Sequence, residues 1–456
     1  MKSENIQIKM KARDLGEAEV VVVGGGSAGI AASIAAARNG AKTVLLERYG
    51  FLGGTATAGL VGPFMTCYSS DGEEQVIAGI MQELIDRMAS EGGAVDPSET
   101  EAGSAWSSFI ELGHAHVTPF DPESLKATAL QMIREAGVEI RFHSSFIDVC
   151  IEEDNISQLF FHDKLGLGAI KAKIWIDATG DGDLAKRSGV PFLLGRESDG
   201  KMMPATLFLR IGNVDDEKVE EWHRKHKKIH PGERLFECIV QEARAEGSWS
   251  IPREYINIYR EPAPGIWRVN TTRIHDIDGT NPEDLTRAEI SARRQVKELM
   301  HFFRTKCPGL ENVLLLATGS HIGIRETRHI CGEYMLTEKD VLEGRRFDDG
   351  IARCAYPIDI HDPVGTRGRL EGIGANYYEI PYRCLVPEKI KNLLLSGRNI
   401  SADHGASASS RVIPPCYATG QAAGTAAALA LRDNVEVSRV GVSELQQLLR
   451  EQGAII

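Results

Sequence analysis

Four consecutive valines, Val20–Val23, run directly into Gly24-Gly25-Gly26-Ser27-Ala28-Gly29 and then into the alanine-rich stretch Ile30–Asn39. Few folds accommodate that order. A short β-branched run, with charge before it and glycine after it, reads as a parallel strand buried on both faces. The alanine-rich stretch is helix-forming, and Gly40 is a natural stop. Lys42–Glu47 reads as the next strand, so the segment predicts a βαβ unit. Within Gly24-x-Gly26-x-x-Gly29 the first glycine permits the tight turn. The second lets backbone approach a pyrophosphate, and the third lets the helix pack closely on the strand. Free N–H groups at the helix N-terminus, around Ser27 and Ala28, then face the phosphates. Glu47 closes the second strand 23 residues after Gly24, near the roughly twenty expected of an acid that holds ribose hydroxyls. An acid here favours an unmodified ribose. Arg48 beside it reads as a phosphate partner or, preferably, as lying along the adenine face or the surface. The bland alternative, a mere turn followed by a solvated strand-end charge, does not account for the full context.

Three further stretches extend the pattern. Gly53-Gly54-Thr55 follows the second strand, where a glycine doublet lets backbone pass close to a second phosphate. Ile176-Asp177-Ala178-Thr179-Gly180-Asp181-Gly182-Asp183 is a strand meeting a glycine turn that can pass beside the dinucleotide, with Gly180 giving the close approach. Asp181 and Asp183 alternatively suggest a calcium loop, but the downstream bidentate glutamate is missing. The fourth stretch is Leu395-Ser396-Gly397-Arg398-Asn399, followed by Cys416-x-x-x-Gly420-Gln421-Ala422-Ala423-Gly424. Its small residues suit a helix N-terminus pressed on a flat ring, or simple tight helix packing.

Composition limits the alternatives. The 456 residues are 42% hydrophobic and 25% charged, ordinary values for a globular chain. A net charge of −12 opposes binding to nucleic acid. The basic run His223–Lys228 reads as a solvated helix face. The eight cysteines form no C-x-x-C pair, so reduced thiols in a cytoplasmic chain are expected, with no metal site. The N-terminal segment is charged and unlike a secretory signal. No apolar run reaches eighteen residues, so no membrane span is expected.

Further along, Tyr49–Gly72 reads as loop and Glu74–Ala89 as helix. Gly92–Ser108 reads as a mobile surface loop that leads to loop histidines His114 and His116. Pro122–Ala136 reads as a helix capped by Asp121, and the strands Val138–Phe142, Phe146–Ile151, Gln158–His162 and Ile170–Trp175 follow. Composition changes near Pro191, with strands (Thr206–Ile211, Ile266–Thr272) alternating with charged helices (Asp216–Lys227, Pro282–Phe303). After Tyr382 it reverts. The expected architecture is α/β: a three-layer, Rossmann-like dinucleotide-binding domain from residues 1–194 and 376–456, with an inserted α+β substrate or cap domain, 195–375.

The four motifs together resemble the glutathione-reductase-type flavoproteins. More closely they resemble the FAD-dependent oxidoreductases related to the flavin subunits of heterodisulfide reductase and fumarate reductase. GGGSAG, ERYGFLGGTAT, DATGDGD, GIRETRHICGEYMLTEKD and the long stretch from Pro381 to Gly424 carry the resemblance. It implies FAD as cofactor and a C-terminal stretch that caps the isoalloxazine, with Gly420, Gln421 and Ala422 at its helix N-terminus. It also implies adenine held by backbone near Phe146. Many relatives carry Gly-Asp where this chain has Gly397-Arg398, so Arg398 is read as a phosphate ligand, or Asn399 as the polar contact. No histidine stands where covalent attachment needs one, so the FAD is expected to be non-covalent.

The flavin's partner is expected to be a small-molecule substrate, with a carboxylate as one option. Arg325 and Arg328 suit a bidentate clamp for a carboxylate or a phosphate, although an Arg-Glu-x-Arg run is more usually a structural ion-pair network. His321 or His404 suits a general acid or base, and Arg411, just before Pro414-Pro415, is placed to reach the substrate. The electron acceptor or donor is open among nicotinamide, quinone, oxygen and protein, and a homo-oligomer is compatible. Two rivals stand beside hydride transfer: a non-redox dinucleotide-binding protein, and the flavin subunit of an electron-transfer complex.

Overall fold

The computed structural model describes residues 9–456. The chain opens with β1 (Arg13–Val23), α1 (Ser27–Arg38) and β2 (Thr43–Leu46). Then come α2 (Ile80–Ser90), α3 (Pro122–Glu135), β3 (Glu139–Arg141), β4 (Ser145–Glu152), β5 (Asn155–Asp163) and β6 (Gly166–Asp177). The sheet order is β3-β2-β1-β6-β5-β4, and strand Leu393–Leu395 also pairs with β6. The pairs β3·β2, β2·β1 and β1·β6 are parallel, as is Leu393–Leu395 on β6. The β4-β5-β6 meander is antiparallel. Long β6 therefore pairs with β5 along its first half and with Leu393–Leu395 along its second. This is the expected Rossmann-like α/β architecture. All the parallel strands end along one edge, where ligands bind in open α/β sheets.

Val20–Val22 are fully buried, as a strand covered on both faces requires. The strand nevertheless starts at Arg13, not Val20, because Arg13–Ala18 pair with Gly168–Ala172 of β6 across a bulge. Ladder hydrogen bonds hold a charged, half-exposed segment that has no apolar pattern. The expected helix Glu74–Ala89 begins only at Ile80: the N–H groups of Val76 and Ile77 are taken by the Cys67 carbonyl, and Gly79 has φ 64°. Pro122 at the first helical position and Asp121, which accepts from Glu123 and Ser124 N–H, start α3 as read.

Residues Ala205–Ile322 build a core of their own around Trp267, Phe236 and Phe303. An antiparallel four-stranded sheet lies there, in the order Leu314–Thr318, Leu209–Gly212, Trp267–Val269, Ile258–Arg260. Ala105 joins that core and the Ser108 hydroxyl accepts from Ile258 N–H, so Gly92–Ser108 is anchored at its end. His114 is buried. His223 is also buried, against Phe109, so the basic helix face is not wholly solvated. Leu336, Val341, Ile351 and Ile358 instead join the main core with α1 and helix Ile413–Asp433. All eight cysteines are free. Among the described residues no helix is long and apolar enough to cross a membrane.

Candidate active site

A cavity of about 710 Å³ opens at the ends of the parallel strands. Val23-Gly24 lies at the end of β1, Leu46-Glu47 at the end of β2, Ala178–Asp181 follows β6, and Ser396–Arg398 follows Leu393–Leu395. The sequence motifs converge because each sits at the exit of a neighbouring parallel strand.

The first turn fits a dinucleotide. Gly24 has φ 103°, and a Cβ there would meet the Ala178 carbonyl oxygen at 2.5 Å. Gly29 does not line the cavity: a Cβ on it would lie 1.8 Å from the Gly24 carbonyl oxygen, so its part is close helix packing. Gly26 is different. A Cβ there would meet only the Gly54 Cα, at 3.7 Å, and Gly26 lines the cavity beside Ser27 and Ala28. The N-terminus of α1 has no side-chain cap and no acid in its first turn. Its N–H donors and positive dipole end are therefore free for phosphate. Gly53 N–H donates to the Gly25 carbonyl at 2.9 Å. That bond lays the Gly53-Gly54 turn along the first one, with Gly54 and Thr55 lining the cavity and Gly53 behind them.

Glu47 is buried. Its Oε2 accepts from Gly25 N–H at 2.6 Å and its Oε1 from Tyr49 N–H at 2.7 Å. Burial pushes its pKa up, against those two bonds. Each oxygen retains a lone pair for a ribose hydroxyl. Arg48 lies over the Tyr49 ring at 4.9 Å and lines the cavity, as does Phe146.

Several candidate residues have other partners. Arg398 donates to Asp181 Oδ1 at 2.6 Å, so these two expected cofactor contacts pair with each other. Arg328 donates to the Asp181 carbonyl and to Asp183 Oδ1, both at 2.8 Å. It lines the cavity, yet strand Arg328–Ile330 turns it toward the glycine turn as a tie. With an arginine on each, Asp181 and Asp183 do not form a calcium loop. Asn399 lies outside the lining and donates to the Asp177 carbonyl at 3.1 Å. Gly420, Gln421 and Ala422 also lie outside it. A Cβ on Gly420 would come within 2.3 Å of the Ala28 carbonyl oxygen, and Gln421 Oε1 accepts from Ile80 N–H at the start of α2. They serve helix packing. The helix begins at Ile413, with Pro414 and Pro415 in its first turn, so Arg411, Val412, Ile413 and Cys416 face the cavity instead.

The two histidine candidates also move. His321 stacks on Tyr49 at 5.8 Å, with Nδ1 on the Ile322 carbonyl at 2.7 Å, which puts it beside the Glu47–Tyr49 end. His404 lies outside the lining. Its Nδ1 bonds Glu326 Oε1 at 2.6 Å, and His329 Nε2 bonds the same oxygen at 2.7 Å. The two histidines hold the buried Glu326 carboxyl down to about 2, against the upward push of burial. The donor atoms of these three residues, Glu326 and His329 buried and His404 half-buried, all lie within 4.8 Å of one another.

Arg325 is the candidate that remains exposed to the cavity with no carboxylate partner. Its Nη1 donates to the Pro204 carbonyl (2.6 Å) and Thr206 Oγ1 (2.7 Å), and its Nη2 to Asn270 Oδ1 (3.2 Å). Burial, followed by the charges of Arg411 and Arg253, holds its pKa well below the usual guanidinium range. Arg411 sits nearby, with Nη2 3.8 Å from Asp359 Oδ2. Asp359, His361 and Tyr356, which the sequence reading passed over, line the same cavity. The alternation Ile358-Asp359-Ile360-His361 was the available signal.

Solved structures of similar fold include a geranylgeranyl bacteriochlorophyll reductase-like protein from Thermoplasma acidophilum, with TM-score 0.45 and 14% identity over 96% of this chain and 84% of that one. Others are the p-nitrophenol 4-monooxygenase PnpA from Pseudomonas putida DLL-E4 (0.49, 12%, 93% and 82%) and the L-proline dehydrogenase from P. horikoshii (0.44, 12%, 97% and 100%). No curated protein matches the chain. Residues 19–449 match the family described as FAD dependent oxidoreductase, and the chain, an enzyme with FAD as its cofactor, belongs to that family.

Proposed function

We propose that this enzyme transfers a hydride between flavin N5 and a small organic substrate that carries a carboxylate. The observation that supports this reading is the charge balance around Arg325. Arg325 and Arg411 line the cavity, and Arg253, 1% exposed, adds its charge from behind. Asp359 is the carboxylate that faces them. A buried guanidinium without a counter-charge costs several kcal/mol. A bound carboxylate removes that cost and is held in a fixed orientation.

The cofactor supplies the two-electron hydride chemistry once bound, and it is held non-covalently. Gly24, Gly26, Gly54 and the N-terminus of α1 hold its phosphates, and Glu47 holds its ribose. The inserted body is the substrate-side cap: its Thr206 and Asn270 fix the Arg325 fork, and its own core keeps them rigid. Anaerobic mixing of the FAD-loaded enzyme with small hydroxy and amino acids, and with the matching uncharged alcohols and amines, tests the reading. Bleaching of the flavin band by an acid, and not by its uncharged analogue, is expected. Bleaching by the uncharged compounds alone overturns it.

A further inference from the structure

Strand Ile358–His361 carries Asp359 and His361 two residues apart. Both side chains therefore leave one face of the strand, and both line the cavity. His361 Nε2 lies 3.2 Å from Asp359 Oδ2. Asp359 is itself fixed: the Tyr356 hydroxyl donates to Oδ2 at 3.3 Å, and Arg411 Nη2 donates to the Asp359 carbonyl at 3.2 Å. A carboxylate on one ring nitrogen selects the tautomer. The tautomer so favoured carries its hydrogen on Nε2 and keeps the lone pair on Nδ1.

We propose that His361, oriented by Asp359, takes the substrate's proton, and that it becomes basic only when an anionic group of the substrate lies against Arg325 and Arg411. The second half rests on the carboxylate reading above.

The surroundings of the ring support the gate. Asp359 is on its own strand. The Arg325 charge acts on it from the segment after residue 322 and the Arg253 charge from the inserted body, while Arg411, in the turn before helix Ile413–Asp433, lies against Asp359. On the paired strand Gly368–Glu371, Arg369 turns outward to Glu338 and Glu371. On helix His404–Ser410, His404 faces Glu326. Burial and then the Arg325 charge push the imidazole down to about 3, with Arg253 adding to them and Asp359 opposing. A carboxylate against Arg325 cancels much of that repulsion, because opposite charges a few ångströms apart interact strongly where water is excluded. An uncharged substrate meets a base too weak to accept its proton.

The step balances. The substrate's O–H or N–H bond breaks and its proton passes to Nδ1, while the freed electron pair closes a C=O or C=N bond. The adjacent C–H bond breaks, and its hydrogen leaves with both electrons to the oxidised flavin. The substrate is oxidised and the flavin reduced, each by two electrons.

Histidine-¹⁵N-labelled, FAD-loaded protein titrated with malonate tests this. The flavin absorbance reports malonate binding, and the resonances lost in His361→Gln identify the ring. The expected result without malonate is a neutral Nε2–H ring down to well below the ordinary histidine range. With malonate saturating, the protonation midpoint rises by more than about one pH unit, and Arg325→Met abolishes both binding and rise. An Nδ1–H tautomer, or an ordinary midpoint in the free protein, overturns the base. A midpoint unmoved by bound malonate overturns the gate alone. Failure of malonate to bind overturns the carboxylate reading and the gate with it.

Discussion

Gly54 passes Gly26 so closely that a Cβ on Gly54 would sit 2.8 Å from the Gly26 Cα. The contact joins two glycine turns, one after β1 and one after β2, into a single cradle. It also separates two kinds of glycine. Gly26, with φ −74° and open space beyond it, tolerates a methyl in the protein but not beside a phosphate. We expect Gly26→Ala to fold with a near-normal melting temperature and to bind FAD about 10–100-fold more weakly, the equivalent of about 1–3 kcal/mol of overpacking. Gly29→Ala, which drives Cβ into the Gly24 carbonyl, should fail to fold. Fluorescence titration with FAD and a thermal melt check both. Unchanged FAD affinity in Gly26→Ala would remove phosphate from this turn.

Glu47 accepts backbone N–H bonds on both oxygens and faces the cavity. In Glu47→Gln the amide keeps one acceptor and loses the charge. A charge-assisted hydrogen bond is worth about 1.5–3 kcal/mol, so FAD affinity should fall by about 10–100-fold. Flavin mononucleotide, which has no adenosine ribose, should show no such loss. An equal loss for both flavins would mean that Glu47 acts only through the fold.

Gly420 is predicted to be a packing residue. Helix Ile413–Asp433 crosses α1 backbone to backbone there, and at Gly424 against Ala32. Gly420→Ala should lower stability by about 1–3 kcal/mol or more, read as an earlier denaturant midpoint, with stoichiometric FAD uptake retained before unfolding. A mutant that melts normally but has lost FAD would return Gly420 to the cofactor.

Much of the first βαβ unit was legible in the sequence, because Gly24, Gly26 and Glu47 act through contacts within one local unit. The substrate wall was not. Arg325 and Arg328 carry the same charge three residues apart, and nothing local tells which is tied to the glycine turn and which has no carboxylate partner. Pairing of Arg328–Ile330 with Phe192–Leu194 decides it. His404 has a local setting that suits chemistry, but distant Glu326 claims it. Pro414 and Pro415 look like breakers before a helix, yet they sit in its first turn, where proline loses no hydrogen bond. Asp359 and His361 had the right alternation, but the arginines that give them meaning come from three other segments.

Glu326 makes the fold acid-sensitive. Its carboxyl falls from 4.5 to about 2 on folding. A lowered acid contributes stability that is fully present above about pH 4.5 and is lost as pH falls toward 2. A shift of this size is on the order of 3 kcal/mol. Urea melts across that window should show the loss in wild type. Glu326→Gln should be weaker at neutral pH, because buried His329 and half-buried His404 lose their carboxylate, and flatter in acid. Wild-type stability of the Glu326→Gln protein at neutral pH would show that the shared oxygen matters little.

The absorption spectrum of the purified protein, taken before and after acid precipitation and under anaerobic dithionite, tests the central claim most directly. The account predicts the bands of oxidised flavin, bleached on reduction and released to the acid supernatant as intact FAD, with Gly26→Ala purified largely colourless. A colourless wild-type protein that takes up no added FAD, or a flavin that stays with the precipitate, would contradict it.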